Sequence, residues 1–358
     1  MFSQQVLDEV KQGMEAMIEE QGMQSFVERS QRIHSIEKLP GDASTRRYYR
    51  VLADDNQGGK SSLIVMAMDS FADKGTTPFL AIQQHLKKNG VDVPVVLDFD
   101  AKNGYILLED LGDTTLLRSL QNVESTAQES AYFEKAIDAL VDMHVYTGPK
   151  TATADEKKAI EGFALKFDVE KLMWEVNFTI EHFFQKHLKR EFSEQDAKII
   201  QDGFTQICTE LDQADTVFTH RDYHSRNLMI TKEGRYVMID FQDARMGPCQ
   251  YDLASLLKDS YYHLSSEQIH HLTRYYLKQM EAKGCPIKDV AKFDRLFDLM
   301  AIQRNFKAIG SFASFLNRRG NPAYLKYIGN TFENIRHNLI KYPEFKRLRE
   351  VLYYYYYF

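Results

Sequence analysis

The chain has 358 residues, room for two lobes or two small domains, with 45 basic against 51 acidic residues and a net charge of -6. No lysine- or arginine-rich block stands out, which argues against nucleic acid or an anionic membrane as partner, and Cys208, Cys249 and Cys285 lie too far apart for a disulfide framework or a zinc site. No apolar run approaches the ~20 residues that span a bilayer, and the acidic N-terminus is unlike a signal peptide; the expectation is a soluble, cytoplasmic monomer.

In chain order, Val6, Val10, Met14, Met17 and Ile18 recur at helical spacing, so residues 5–30 are predicted to begin as a helix that breaks or ends at Gly22. Ile33, Ile36 and Leu39 lead into two strand-like runs, GDASTRRYYRVLADD and SSLIVMAMD, with DDNQGGK as the hairpin turn between them. Thr77-Pro78 opens a helix that stops at Asn89-Gly90. VDVPVVLDFD and YILLED form a second hairpin around the turn AKNG. From Leu111 onward helical periodicity dominates, over 114–121, 128–146, 168–188, 195–212, 251–262, 266–282, 290–309 and 322–341. Capping boxes beginning at Ser193 and Ser265 start two of these helices. The stretch 147–158 reads as a polar, mobile connection, and the five tyrosines 353–357 as a C-terminal element packed on the surface.

Residues 219–243, THRDYHSRNLMITKEGRYVMIDFQD, interrupt the helical pattern. They read as loop, strand, turn, strand and acid, so Asp222, Asn227 and Asp240 converge on one edge of a hairpin. A carboxylate, an amide at H-x-D-x-x-x-x-N spacing and a second carboxylate across a hairpin make a phosphoryl-transfer arrangement. In it Asp222 orients the attacking hydroxyl and accepts its proton. Asn227 and Asp240 hold magnesium against the phosphates of ATP, and oxygen ligands suit that cation.

A sheet-rich N-lobe (1–110, nucleotide-binding) followed by a helical C-lobe (111–358, catalytic and substrate-binding) predicts an α+β, bilobal protein-kinase-like fold. The stretches GDASTRRYYR, LLEDLGD, HRDYHSRNLM, IDFQDARMGPCQYDLASLLKD and IQRNFKAIGSFA together resemble the aminoglycoside phosphotransferase/choline kinase superfamily, and within it the bacterial anomeric kinases of N-acetylmuramate and N-acetylglucosamine. The resemblance spans residues 41 to 313. It implies ATP and Mg2+ as cofactors, a small-molecule sugar as substrate, and transfer to the anomeric (C1) hydroxyl in cell-wall sugar recycling. The runner-up acceptor is choline, an aminoglycoside or another sugar.

Around that motif the residues read as follows. Ser44 and Thr45, in a run of small residues, let backbone N–H groups approach phosphates. The second strand carries a methionine where kinases place a phosphate-neutralising lysine, so Arg46, Arg47 or Arg50 is the candidate for that role. Glu109 marks the hinge whose backbone reads the adenine edge. His220 braces the loop, Asp252 stands at a helix start and resembles a family aspartate that supports the loop, and His144 is a buried, hydrogen-bonded histidine. Asp243 is either an outer acid or a substrate contact. Only Phe241 to Tyr251 separate Asp240 from Asp252, too little for a peptide platform, so the acceptor is small. In 302–313 the apolar residues Ile302, Phe306, Ile309 and Phe312 form one helical face, and Gln303, Arg304 and Lys307 form a polar edge that is either a solvated helix edge or turned to the acceptor, Arg304 and Lys307 then favouring a neutral or acidic one.

Overall fold

The computed structural model describes residues 19–40, 46–55 and 58–358, which divide into two compact units. The smaller takes the described residues up to Thr77 together with Pro94–Gly112, and the larger takes Pro78–Val93 and Asp113–Phe358.

In the smaller unit a helix, α1 (19–27), covers one face of a sheet built from β1 (Ile33–Lys38), β2 (Arg47–Asp54), β3 (Lys60–Ala67), β4 (Val96–Asp100) and β5 (Tyr105–Glu109). The order is β1-β2-β3-β5-β4 with every neighbouring pair antiparallel. Strand alternation sends Tyr49, Val51 and Ala53, Leu63, Val65 and Ala67, and Tyr105 and Leu107 against Met23, Phe26 and Val27. The first strand is an addition to the sequence reading, which took Ile33 and Ile36 only as a lead-in. Both are partly buried against this core.

The larger unit opens with α2 (Pro78–Lys88), which the sequence reading assigned to the N-lobe and which clusters here. The reason is its burial: Phe79 stacks on Phe241 with ring centroids 5.0 Å apart, and His85 donates to the Thr147 carbonyl at 3.0 Å. Then come α3 (Leu116–Leu120), α4 (Thr126–Tyr146), α5 (Ala154–Ala159), α6 (Val169–Thr179) and a π-helical turn over Ile180–His187. The helix α5 adds structure to the second part of the connection expected over 147–158: Thr153 and Glu156 form a reciprocal capping box that starts it.

After α7 (Glu194–Asp212), two small ladders frame the motif region. β6 (Thr216–Thr219) pairs with β9 (Arg245–Pro248), and β7 (Leu228–Ile230) pairs with β8 (Tyr236–Met238). The remaining helices are α8 (Gln250–Leu257), α9 (Ser266–Ala282), α10 (Val290–Arg319), α11 (Ile328–Leu339) and α12 (Lys346–Tyr357). The predicted helix over 290–309 runs on to a left-handed cap at Gly320. From Leu296 to Phe306 every residue of α10 is buried, polar ones included, so this is a central helix and not an amphipathic surface one. The tyrosine run belongs to α12, where Tyr356 stacks on Phe332 at 4.0 Å and the Tyr355 hydroxyl reaches Asp196.

Candidate active site

The loop from His220 to Asn227 leaves β6 and enters β7, and buried acids from α8 and the residues just after it hold it in shape. The Asp252 carboxylate, in the first turn of α8, accepts the backbone N–H of His220 at 2.7 Å and that of Arg221 at 2.9 Å. His144 on α4 lies 3.2 Å from the same carboxylate through Nε2 and 2.9 Å from the Tyr276 hydroxyl through Nδ1. One neutral tautomer satisfies both, with Nε2 donating to Asp252 and Nδ1 accepting from the tyrosine. Asp259 makes a second strut: it accepts the Ser225 N–H at 3.0 Å and the Ser225 hydroxyl at 2.5 Å. Both Asp252 and Asp259 are buried.

Replacing Asp252 with Ala strands two loop N–H groups and one buried imidazole. A loss of about 3 kcal/mol or more in unfolding free energy is expected, with turnover falling alongside it. Urea denaturation and steady-state kinetics read the two effects.

Within the loop, Asn227 Nδ2 donates to the Asp222 carbonyl at 3.0 Å, fixing which way the amide lies. The Asn227 carbonyl accepts the Ile239 N–H at 3.0 Å, and His220 Nε2 donates to the Ile239 carbonyl at 3.0 Å. These bonds tie the residue before Asp240 to the loop that carries Asp222. Arg221 and Asp240 both have left-handed backbone, φ 81° and 66°. Non-glycine residues held there concentrate at functional sites. Asp240 accepts from Gln242 Nε2 at 2.8 Å.

Three cations surround Asp222. Lys307 on α10 donates from Nζ to Oδ1 at 3.0 Å, with side chains 15% and 29% exposed. Burial alone would raise the Asp222 carboxyl. The charges of Lys307, Arg221 and Arg304 outweigh it and hold the group well below the usual carboxylate range. Burial and then Arg304 push the His224 imidazole down to about 3, leaving it neutral at ordinary pH. Arg304 itself is 5% exposed, and its Nε has no hydrogen-bond partner among the described residues.

The expected polar edge of α10 is therefore corrected in part. Lys307 points to Asp222, but Gln303 is fully buried and donates to the Leu172 carbonyl and to Glu175. Asp243 lies 3.5 Å from Arg221 Nη1. Glu175, 1% exposed, sits 3.9 Å from Arg221 Nη2. The sequence reading passed over Glu175 and Asp259. For Glu175 the one available signal is an acid on the face of α6 that buries Leu172, Val176 and Thr179.

A family model described as "Phosphotransferase enzyme family" matches residues 35–287. The chain belongs to the phosphotransferase enzyme family. Proteins named N-acetylmuramate/N-acetylglucosamine kinase from Neisseria meningitidis serogroup B and Pseudomonas aeruginosa are 32% and 33% identical to it over 313 and 317 residues. Each alignment covers 87% of this chain, with 87% and 86% of the relative. Among solved structures, choline kinase LicA from Streptococcus pneumoniae matches with a TM-score of 0.56 at 16% identity, covering 91% of this chain and 99% of that one. ADP-bound aminoglycoside phosphotransferase APH(2'')-Ib matches with a TM-score of 0.56 at 13% identity, covering 88% and 96%. Likeness at these identities is one of fold, and that fold is the protein-kinase-like one expected from the sequence.

In this phosphotransferase Arg47 and Arg50 are occupied within the smaller unit. Arg47 Nε donates to Glu19 at 2.6 Å. Arg50 makes a two-pronged pair with Asp110, at 2.6 and 3.0 Å, and Asp110 also accepts from Ser62 and from the Gly112 N–H. Arg46 immediately precedes β2, while Ser44 and Thr45 lie outside the described residues. Glu109 Oε1 accepts the Val95 N–H at 2.9 Å. On β3 the fully buried Met66 pairs with Tyr48 on one side and Ile106 on the other.

Asn227 and Asp240 supply hard oxygen donors, and among the described residues no three His, Cys, Asp or Glu side chains cluster as a metal site. That donor set fits Mg2+, which keeps several waters and draws further oxygens from substrate phosphates.

Proposed function

We propose that this phosphotransferase moves the γ-phosphoryl group of ATP to the anomeric (C1) hydroxyl of N-acetylmuramate or N-acetylglucosamine, in the cytoplasm, as a step of cell-wall sugar recycling. The observation that carries the reading is the ion pair of Lys307 with Asp222, a carboxylate on which the Arg304 charge also acts. Cations beside the base favour a neutral or acidic acceptor and oppose choline or an aminoglycoside, which bring positive charge of their own. The named relatives, which align over most of the chain, support the same acceptor class.

Asp222 accepts a hydrogen bond from the acceptor hydroxyl, aims its oxygen at the phosphorus, and takes the proton as the new O–P bond forms and the bond to ADP breaks. A carboxylate held this far ionised is a weak base. That suffices, because the loose transition state of phosphoryl transfer makes positioning the larger share of catalysis, and a hemiacetal hydroxyl is more acidic than an ordinary alcohol. Asn227 and Asp240 would hold Mg2+, which when bound neutralises charge on the nucleotide phosphates.

Lys307→Met removes the nearest cation from Asp222. The acid limb of kcat/KM is expected to move up toward the usual carboxylate range, ~3.9, so the variant begins to lose activity at a higher pH than the wild type. Superimposable profiles would detach Lys307 from the base. The reading as a whole is tested by ATP turnover against a panel of N-acetylmuramate, N-acetylglucosamine, choline and an aminoglycoside. Turnover with the two sugars supports it, and turnover confined to the cationic acceptors overturns it.

A further inference from the structure

The single tryptophan of the chain, Trp174, is 55% exposed on α6 although its neighbours Glu175 and Val176 are buried. Its ring stacks on Phe178 with centroids 5.6 Å apart, and the Lys171 ammonium lies 4.0 Å from its centroid. A large aromatic surface is thus left open to solvent with a cation on its face, and Glu175 links that cation to the loop that carries Asp222. Lys171 Nζ is 3.8 Å from Glu175 Oε1, and Glu175 is 3.9 Å from Arg221, the residue before Asp222.

The helix that carries Trp174 is clamped to the helix that carries Lys307. Gln303 Nε2 bonds the Leu172 carbonyl and Glu175, and the Thr179 hydroxyl donates to the Phe306 carbonyl at 2.8 Å. Gly310 makes the approach possible, since a Cβ there would stand 2.4 Å from Thr179 Oγ1. Burial lowers the Lys171 ammonium; Glu175 opposes that, while Arg221, Arg245 and Lys307 add to it. The ammonium that lies over the indole is thus in the field of Arg221, Arg245 and Lys307.

We propose that Trp174 and Lys171 form the acceptor platform: the apolar face of an N-acetylated amino sugar rests on the indole, and Lys171 moves off the ring to pair with the acceptor's carboxylate. The inference deepens the functional reading above and rests on it. An aromatic face suits a pyranose ring because its C–H groups meet the negative π-surface. A quaternary ammonium would also seek such a ring, but there it would meet the repulsive field of Arg221, Arg245 and Lys307 that already acts on Lys171. An acid gains from the same cations.

One tryptophan gives a direct readout. With the full chain, Mg2+ and a non-hydrolysable ATP analogue, titration with N-acetylmuramate is expected to change tryptophan emission saturably, at concentrations that track KM for that sugar. Trp174→Ala should raise KM for both sugars about tenfold or more, the usual scale for losing an aromatic anchor, while KM for ATP stays put and Trp174→Phe recovers most of the loss. Lys171→Met should raise KM for N-acetylmuramate and leave that for N-acetylglucosamine in place. If the wild type turns over the sugars but emission and both KM values are unmoved, the platform is wrong and the function stands. Equal effects of Lys171→Met on the two sugars overturn the carboxylate contact. If neither sugar is phosphorylated, the functional reading fails and the platform with it; an emission change with choline alone overturns the acidic-sugar assignment.

Discussion

Asp222→Asn is expected to lower kcat by about a thousandfold, within the range for loss of a positioned proton acceptor, in a protein that still folds. The amide keeps the shape of the carboxylate but cannot take the hydroxyl proton, and its charge no longer offsets Lys307, Arg221 and Arg304. The loop itself does not depend on Asp222 for its course. Asp252 holds the His220 and Arg221 N–H groups, and Asp259 holds Ser225. Circular dichroism should therefore match the wild type while turnover collapses. Near-normal turnover in the folded variant would remove Asp222 from the chemistry.

Asp240 gives the second large effect, on nucleotide binding. Its φ of 66° sets the choice of substitution. Asparagine tolerates left-handed backbone, whereas alanine there adds strain unrelated to the metal. Asp240→Asn is expected to weaken binding of a non-hydrolysable ATP analogue by about a hundredfold or more when Mg2+ is present, given the several kcal/mol a metal ion contributes at such sites. Binding without Mg2+ should change little. Asp240→Ala should do the same with an added loss of stability. Calorimetric titrations with and without the metal separate these outcomes, and equal affinities for wild type and Asp240→Asn in Mg2+ would dismiss the ligand role.

The contrast between what the sequence revealed and what it hid follows from range of interaction. His220, Asp222, Asn227 and Asp240 lie on one loop–hairpin unit whose spacing is local, and β7 and β8 pair as the two short apolar runs predict. His144 was legible because it sits near the end of an apolar helix, whereas the role of Asp252, at the start of α8, came from the resemblance to the family.

What stayed hidden depends on neighbours far along the chain. Arg50 looks like a phosphate ligand until Asp110, sixty residues on, takes it. Gln303 looks like a helix edge until α6 covers it through Leu172 and Glu175. Lys307 carries no local sign that it reaches a carboxylate eighty-five residues earlier. The helix α12 was missed because tyrosines are only moderate helix formers; contacts such as Tyr356 on Phe332 stabilise it. Trp174 carries no motif at all, and only its exposure beside buried neighbours marks it.

Phosphorus-coupled proton NMR of the product formed from ATP and N-acetylmuramate reads directly whether the phosphoryl group sits on the anomeric oxygen. The anomeric proton is expected to be split by phosphorus, and a methyl glycoside, blocked at C1, is expected not to be a substrate. Phosphorus coupling at the C6 protons, or phosphorylation of the methyl glycoside, would contradict transfer to the anomeric oxygen.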